Sequence, residues 1–370
     1  MNDKIYLTLE NGKIFEGKRF GAEGEVVGEL VFTTGMTGYL ETLTDKSYYG
    51  QIIAQTFPLI GNYGVIPEDF EGSRVYARGY IVRQGCREPS NFRSEGDLDA
   101  FLKTQNIVGL RDIDTRELTK IIRQNGVMNG KISRELTPGD MEEIRAFRIE
   151  DAVAGVSVRA PYVQAPGGRD GGGARFRVAL LDLGLKENIK RELVKRNCEV
   201  TVYPYDTKAE GILGKNPDGI MLSNGPGDPA ENVGVIRELR KLAESGVPIF
   251  GICLGHQLLA LARGFRTEKL KYGHRGANQP AKNLLTGRTY ITSQNHGYAV
   301  VSDSIDPGRA QEWFVNVNDR TCEGILYRNT PIFSVQFHPE ACGGPRDTSF
   351  LFDQFMDMME VRKHASEPIH

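Results

Sequence analysis

The chain has 370 residues, of which 39% are hydrophobic and 25% are charged, and its formal net charge is -2. This length and composition predict a globular protein with two domains. The small net charge argues against nucleic acid or a membrane surface as the main partner. No apolar run approaches the roughly 20 residues that a membrane helix needs, and the N-terminus lacks the apolar core of a signal peptide. The five cysteines are scattered without disulfide or zinc-finger spacing, so we expect a reduced, cytoplasmic protein.

Residues 1–150 are predicted to form a smaller, mixed and β-rich domain. Short apolar runs broken by glycine predict strands at 5–9, 13–15, 28–33 and 80–83. The sequence Asp114-Thr115-Arg116-Glu117 fits a capping box, so a helix should begin there and end at Gly126. Helices are expected only late in this half.

Residues 151–176 are predicted to be a linker. Its centre, 165–174, holds five glycines and one proline in ten residues, a composition that does not sustain a regular element. The second domain is therefore expected at 177–370.

The second half alternates predicted strands and helices. Strands are expected at 177–183, 199–205, 219–222 and 249–252, with helices at 186–196 and 233–243. This alternation predicts an α/β domain with a doubly wound, flavodoxin-like parallel sheet. The functional site of such a sheet lies at the carboxyl ends of its strands.

The sequence Gly251-Ile252-Cys253-Leu254-Gly255 lies between an apolar strand and a helix-like run at 258–262. Strand, Gly-x-Cys-x-Gly, helix is the pattern of a nucleophile elbow, with cysteine in place of serine. The glycines allow a sharp turn, and a helix N-terminus favours thiolate over thiol. We therefore predict that Cys253 is a nucleophile that requires a base.

A second stretch, His338-Pro339-Glu340, follows a strand predicted at 332–337. In an extended chain residues i and i+2 point to the same side, so His338 and Glu340 should be neighbours. The carboxylate would then orient the imidazole, which would serve Cys253 as base and acid. The alternative is a buried cysteine and a structural histidine, but the elbow together with His-x-Glu favours a catalytic triad.

Two further polar segments follow predicted strands. The glycine-rich turn at 223–229 could supply backbone amides to an oxyanion, although an ordinary tight turn has the same composition. The amide-rich segment 293–298, after a strand at 290–292, could recognise the carboxylate and ammonium of an amino acid, or it could be a polar hairpin turn.

The remaining histidines and cysteines give little signal. His256 is expected to pack or hydrogen-bond, and a metal site built from Cys253, His256 and His338 has weak spacing, so we expect no metal. The residues without an assignable role are His274, His296, His364 and His370, and the cysteines expected to be structural are Cys86, Cys198, Cys322 and Cys342.

These motifs resemble those of a known family. Residues 177–362 resemble the class I (triad) glutamine amidotransferase domain, which has a glycine-rich oxyanion turn, the same cysteine elbow and a His-Pro-Glu end in this order. The first half resembles the N-terminal domain of carbamoyl-phosphate synthase small subunits, at 34–41, 44–48, 57–64, 90–93 and 112–116. The resemblance covers essentially the whole chain, with local departures at the glycine linker and at Cys342-Gly343.

The resemblance implies a glutamine-hydrolysing subunit. Cys253 would attack the side-chain amide of glutamine to give a γ-glutamyl thioester, with His338 as base and acid, Glu340 as its orienting carboxylate, and backbone amides of Gly225 and Leu254 at the oxyanion. The positions that match glutamine-binding residues of the family are Ser47, Gly225, Gly227, Leu254, Gln257, Asn295, Gly297 and Tyr298. Since Ser47 belongs to the first domain, the resemblance places the site at the domain interface.

The resemblance also implies a partner. The family passes ammonia through a tunnel to a large synthetase subunit that binds ATP, magnesium and bicarbonate, so no cofactor is expected on this chain. Two alternatives stay open: a stand-alone γ-glutamyl cysteine hydrolase, and a catalytically inactive regulatory or scaffold subunit. The sequence does not distinguish arginine from pyrimidine synthesis as the destination of the product.

Overall fold

A computed structural model describes residues 3–166 and 173–366 of the chain. They divide into two compact units, with the boundary between Ala152 and Val153. Within these residues, no helix is both long enough and apolar enough to cross a membrane.

The described residues of the first unit include seven strands that form a closed barrel. The strands are β1 (Lys4–Leu9), β2 (Ile14–Gly21), β3 (Val26–Thr33), β4 (Gln51–Ile60), β5 (Gly79–Gly85), β6 (Val108–Arg111) and β7 (Met128–Ser133), and the helices are α1 (Tyr39–Thr44), α2 (Leu98–Thr104), α3 (Thr115–Asn125) and α4 (Asp140–Ala146). The barrel order is β1-β2-β6-β5-β4-β3-β7. The pairs β3–β4, β4–β5 and β5–β6 are parallel. The other neighbouring pairs of the barrel are antiparallel.

The helix predicted from its capping box is present as α3. The Asp114 side chain accepts hydrogen bonds from the backbone N–H groups of Arg116 and Glu117, both at 3.0 Å, and the helix ends at Gly126 with a φ of 95°. The expectation that helices occur only late in this half is wrong. Helix α1 forms early because its apolar side chains, among them Leu40 and Leu43, are fully buried.

The second unit contains a sheet with ten strands in its described residues, ordered β14-β13-β15-β16-β17-β12-β11-β9-β10-β8. The strands are β8 (Tyr162–Gln164), β9 (Phe176–Asp182), β10 (Cys198–Pro204), β11 (Gly219–Leu222), β12 (Ile249–Ile252), β13 (Thr267–Asn283), β14 (Thr289–Val300), β15 (Ala310–Asn316), β16 (Cys322–Tyr327) and β17 (Ile332–Val335). The helices are α5 (Ala152–Val156), α6 (Glu187–Lys195), α7 (Ala209–Leu213), α8 (Val233–Glu244), α9 (Leu254–Ala262) and α10 (Phe350–Ser366).

Five adjacent strands of this sheet, β17-β12-β11-β9-β10, are parallel. Numbered along the chain, they have the order 2-1-3-4-5 read from β10, which is the flavodoxin-like order. Alternate residues of β9 enter two different cores: Val178 and Leu180 enter one, and Ala179 and Leu181 enter the other. Burial on both faces is what a doubly wound parallel sheet requires, and the predicted fold class is confirmed.

The stretch 151–176, expected to be a linker, holds two regular elements. Helix α5 begins at Ala152, and β8 pairs antiparallel with β10 through Val163 and Thr201. The strand forms because an edge of the sheet offers unpaired backbone groups. The glycines at 167–172 lie outside the described residues.

Candidate active site

Cys253 is the single residue that joins β12 to α9. It has a φ of 54° and a ψ of -104°, a left-handed conformation that is costly for any residue other than glycine. Its backbone N–H donates to the Val335 carbonyl at 2.9 Å, which continues the β12–β17 ladder by one residue. The strained turn holds the thiol at the carboxyl end of the sheet, as an elbow does.

The glycines on either side of Cys253 are required by packing. A Cβ on Gly251 would lie 2.9 Å from the Gly255 carbonyl oxygen, and a Cβ on Gly255 would lie 2.6 Å from the Leu222 carbonyl oxygen. Both distances are shorter than real Cβ contacts, so the elbow can pack against β11 only with glycine at these positions.

His338 and Glu340 form a buried pair. His338 Nδ1 donates to Glu340 Oε1 at 2.7 Å, and both residues are at most 3% exposed. The predicted strand over 332–337 is wrong at its end: β17 stops at Val335, and the chain then bends and turns. The side chains still meet, and the His338 backbone N–H donates to the Ser293 carbonyl at 2.9 Å, which ties this turn to β14.

The environment of His338 favours its charged form. Burial lowers the pKa of His338, as does the charge of Lys186, but the charges of Glu340 and Cys253 raise it, and the net result is a pKa of about 9. Among the described residues His338 Nε2 has no partner of hydrogen-bond geometry. Since Nδ1 is engaged by Glu340, Nε2 is the atom available for exchanging a proton with the thiol.

Strand β14 lies beside the elbow, and the thiol of Cys253 donates to the Asn295 carbonyl at 3.7 Å. The hairpin turn considered for 293–298 is wrong. These residues lie inside β14, where Asn295 pairs with Arg275 and His296 pairs with His274 of β13. The sequence misleads here because its glycine and amide groups are typical of turns as well as of bulged strands.

The glycine-rich turn after β11 packs directly on the elbow. The Ser223 carbonyl accepts from the Gly255 N–H at 3.1 Å, and a Cβ on Gly225 would lie 2.7 Å from Leu254 Cδ2. Leu254 opens α9, so its N–H has no acceptor within the helix. Gly227, in the same turn, has a φ of 87°. The turn and the helix start therefore bring backbone groups next to Cys253.

Gln257 lies one turn into α9, and its side-chain amide is tied to the surrounding strands. Its Nε2 donates to the Tyr298 carbonyl at 2.7 Å and to Gln336 Oε1 at 2.9 Å. Both amide hydrogens are thus used, and only the Oε1 oxygen remains for a ligand. Gly297 lies between His296 and Tyr298 in β14.

Ser47 belongs to the other unit. It lies in a short 3₁₀ helix, Lys46–Tyr48, is 8% exposed, and its backbone N–H donates to Asp45 Oδ1 at 2.8 Å. The remaining residues predicted for the site all lie in the second unit, at the elbow, at the turn after β11, in β14 or after β17. The expectation that Ser47 joins them stays a prediction.

Two polar residues near the elbow carried no site assignment in the sequence. Lys186 follows the carboxyl end of β9 and acts on His338 through its charge; the rule that sites lie at carboxyl strand ends could have found it. His256 is fully buried, its Nδ1 lies 2.8 Å from Ser334 Oγ, and burial lowers its pKa to about 3. A neutral, enclosed imidazole fits the packing role expected for it.

Two family profiles match the chain. "Glutamine amidotransferase class-I" matches residues 179–358, and "Carbamoyl-phosphate synthase small chain, CPSase domain" matches residues 7–132. These ranges correspond to the two halves that the sequence motifs distinguish.

Curated relatives match over nearly their full length. A carbamoyl phosphate synthase small chain of Clostridium perfringens is 51% identical over 357 residues, covering 95% of this chain and 99% of the relative. The protein of the same name from Bacillus caldolyticus is 48% identical over 370 residues, covering 99% and 100%. That of Listeria monocytogenes is 48% identical over 365 residues, covering 98% of each chain.

Proposed function

Because the chain belongs to the carbamoyl-phosphate synthase small-chain family, we propose that it hydrolyses glutamine by a Cys253-His338-Glu340 triad and delivers the ammonia to a large synthetase subunit. The glutamine-hydrolysing role follows from the family and from the class I amidotransferase domain. One observation supports the triad most directly. Cys253 and the His338–Glu340 pair follow the adjacent parallel strands β12 and β17, and their charges act on each other.

Before the first half of the reaction the thiol proton has passed to His338 Nε2, so a thiolate stands beside an imidazolium, and Cys253 Sγ then attacks the side-chain amide carbon of glutamine. The oxyanion that forms accepts hydrogen bonds from the backbone N–H groups of Gly225 and Leu254. The C–N bond then breaks, the leaving nitrogen takes the proton from His338, and ammonia departs. A γ-glutamyl thioester remains on Cys253.

In the second half a water molecule attacks the thioester carbon while His338 accepts its proton. The C–S bond breaks and glutamate leaves, while the proton stays on His338 beside the Cys253 thiolate. Glu340 accepts the Nδ1 hydrogen bond throughout, which fixes the tautomer and stabilises the imidazolium.

Glutamine is held, in this proposal, by residues that surround the elbow. They are Ser47, Gly225, Gly227, Leu254, Gln257, Asn295, Gly297 and Tyr298. Because both hydrogens on Gln257 Nε2 are already donated to the protein, Gln257 would bind glutamine only through Oε1, which would accept a hydrogen bond from the substrate. Ser47 would have to reach the site from the first unit.

The large synthetase subunit is proposed to carry ATP, magnesium and bicarbonate, and this chain to need no cofactor for hydrolysis. The small-chain family implies such a partner. The triad groups already provide a nucleophile, a proton carrier and an oxyanion site, which suffice for amide hydrolysis.

The test uses the complex of this chain with its large subunit. Cys253→Ser should abolish carbamoyl-phosphate synthesis from glutamine and leave synthesis from added ammonium salts near the wild-type rate. A variant that retains glutamine-dependent synthesis would contradict the triad. Glutamine hydrolysis that is full without the large subunit, and unchanged on adding it, would favour a stand-alone hydrolase instead.

A further inference from the structure

A second cluster of titratable side chains lies outside the triad. His274 of β13, His296 of β14 and Glu323 of β16 are 8%, 5% and 0% exposed. One potential ligand atom from each lies within 4.8 Å of the other two, and no other such group of three occurs among the described residues. The cluster joins three strands of the antiparallel half of the sheet.

Two atoms of this cluster are buried without a hydrogen-bond partner in the described part of the chain. They are His274 Nδ1 and Glu323 Oε2. A buried carboxylate oxygen and a buried imidazole nitrogen without hydrogen bonds are costly, so such atoms call for an explanation. A bound cation would satisfy both atoms at once.

Other polar atoms of the cluster form the kinds of hydrogen bond that are usual around a bound metal ion. His274 Nε2 lies 2.7 Å from Asp319 Oδ2, and His296 Nδ1 lies 2.8 Å from the Tyr298 carbonyl. Asn316 Nδ2 donates to the second carboxylate oxygen of Glu323 at 3.1 Å. Metal-binding histidines typically donate their second N–H to a carboxylate or a backbone carbonyl, and ligating carboxylates are themselves hydrogen-bonded.

We propose that His274 Nδ1, His296 Nε2 and Glu323 Oε2 bind a zinc ion that ties β13, β14 and β16 together. Gln294 Oε1 lies 3.1 Å from His296 Nε2 and supplies the fourth ligand, an oxygen. Two imidazoles select a borderline ion such as Zn²⁺ over magnesium or calcium, which prefer oxygen alone. Tetrahedral zinc places its ligand atoms roughly 3.4 Å apart. The three ligand atoms here lie within 4.8 Å of one another, so the side chains must draw together to bind the ion.

The site has a consequence for its neighbours in β14. His296 lies between Asn295 and Gly297, and its ring meets that of His274 with centroids 4.9 Å apart. An ion bound here fixes the register of the β13–β14 pair at the point where β14 passes the elbow. The role is structural, and it does not depend on whether Cys253 hydrolyses glutamine.

The competing occupant is a proton. Without an ion, His274 would be protonated on both ring nitrogens and would lie between two carboxylates. Its positive charge would then neutralise the buried Glu323, whose Oε1 lies 3.5 Å from His274 Nδ1. The two occupants predict different metal contents, because a protonated cluster rejects a divalent cation.

The test is made on the full chain carrying Cys253→Ser, so that the catalytic thiol cannot contribute a ligand. After dialysis against a zinc buffer and desalting, elemental analysis should find about one zinc per chain, and chelation should lower the melting temperature. Adding Glu323→Gln, which keeps the shape of the side chain, should remove most of the zinc. Adding His364→Asn, at an exposed histidine, should not.

Absence of stoichiometric zinc in the Cys253→Ser chain would overturn the proposal, as would equal zinc in the Glu323→Gln chain. If Glu323→Gln fails to fold, a competition titration of the Cys253→Ser chain against a chromophoric zinc chelator decides. Saturation at one ion with a matching rise in melting temperature supports the site, and no competition overturns it.

Discussion

His338 lies between opposing electrostatic influences. Burial and Lys186 favour its neutral form, whereas Glu340 and Cys253 favour the imidazolium and prevail, which raises its pKa to about 9. In the proposed mechanism the imidazolium is the form that donates a proton to the departing ammonia. Glu340 and Lys186, together with the thiol, should therefore set the pH range of the proposed reaction.

Opposite shifts in the pH profile are expected from two substitutions beside His338. Glutaminase kcat/KM should fall as pH rises through about 9, since His338 then loses its proton. Glu340→Gln removes a negative charge that raises the pKa of His338, so the fall in activity should move to lower pH. Lys186→Met removes a positive charge that lowers this pKa, so the fall should move to higher pH. We expect shifts of about one pH unit.

The profiles are measured on glutamine hydrolysis by the complex from pH 6 to pH 10. Shifts in the same direction for both variants, or no shift in either, would contradict the assignment of His338 as the titrating group. Lower activity without a displaced profile would indicate only a loss of structure.

The sequence could predict the three residues of the proposed triad because each lies in a short motif whose spacing is local. It missed Lys186, whose effect on His338 depends on two strand ends that are neighbours only in the folded sheet. It also could not show that Gln257 donates both amide hydrogens, to Tyr298 and Gln336, because these contacts join α9 to two segments that are distant in sequence.

Among the elements around the elbow, the turn between β11 and α8 is packed without room for a side chain at Gly225. Gly225 leaves no space for a Cβ because the Leu183 carbonyl oxygen and Leu254 Cδ2 lie against it. The same close approach is what would present the turn's backbone to a substrate oxyanion.

Gly225→Ala should therefore displace the turn and lower kcat for glutamine by about 10²-fold or more, as the loss of an oxyanion donor does. Gly234→Ala is the matched control, because Gly234 lies in α8, the methyl group of an alanine there would meet nothing within 4 Å, and alanine is a better helix former. Glutaminase rates and melting temperatures of both variants check this. Wild-type activity in Gly225→Ala would contradict an oxyanion role for the turn.

The parallel half of the large sheet could be predicted, because its strands are continuous apolar runs alternating with helices. In the antiparallel half only 290–292, near the start of β14, was predicted as a strand. The long strand β13 is polar over much of its length, and its pairing with β14 is interrupted between Lys269 and His274 and between Gly276 and Gln279. Such irregularities break the alternation of period two by which a strand is recognised.

At the scale of the whole molecule, the first unit shows why topology is harder to predict than elements. Its strands were partly predicted, but closure of the barrel depends on β1 pairing with β7, for example Leu7 with Ile132. No local pattern encodes a contact across that separation in sequence. The 2-1-3-4-5 order of the second unit was accessible because strand–helix alternation restricts the possible arrangements.

Buried His256 predicts how the stability of the protein responds to acid. Its pKa is about 3 in the folded chain, against 6.5 for an ordinary histidine, so only the unfolded chain takes up a proton between these values. Below pH 6.5 this residue should lower the free energy of unfolding by about 1.4 kcal/mol per pH unit.

His256→Asn keeps a polar group for Ser334 and removes the titration. Between pH 6.5 and pH 5 the variant should therefore lose about 2 kcal/mol less stability than the wild type. Urea unfolding at the two pH values measures the difference, and an equal loss in both proteins would show that His256 is not held neutral in the fold.

The central claim is that Cys253 forms a covalent intermediate with glutamine. The most direct measurement mixes the complex with radiolabelled glutamine, quenches it in acid during turnover, and locates the label by peptide mass spectrometry. We predict one γ-glutamyl group on the peptide that carries Cys253, and none in Cys253→Ser. Steady glutamine turnover by the wild type with no label on Cys253, or turnover at the same rate by Cys253→Ser, would contradict the account.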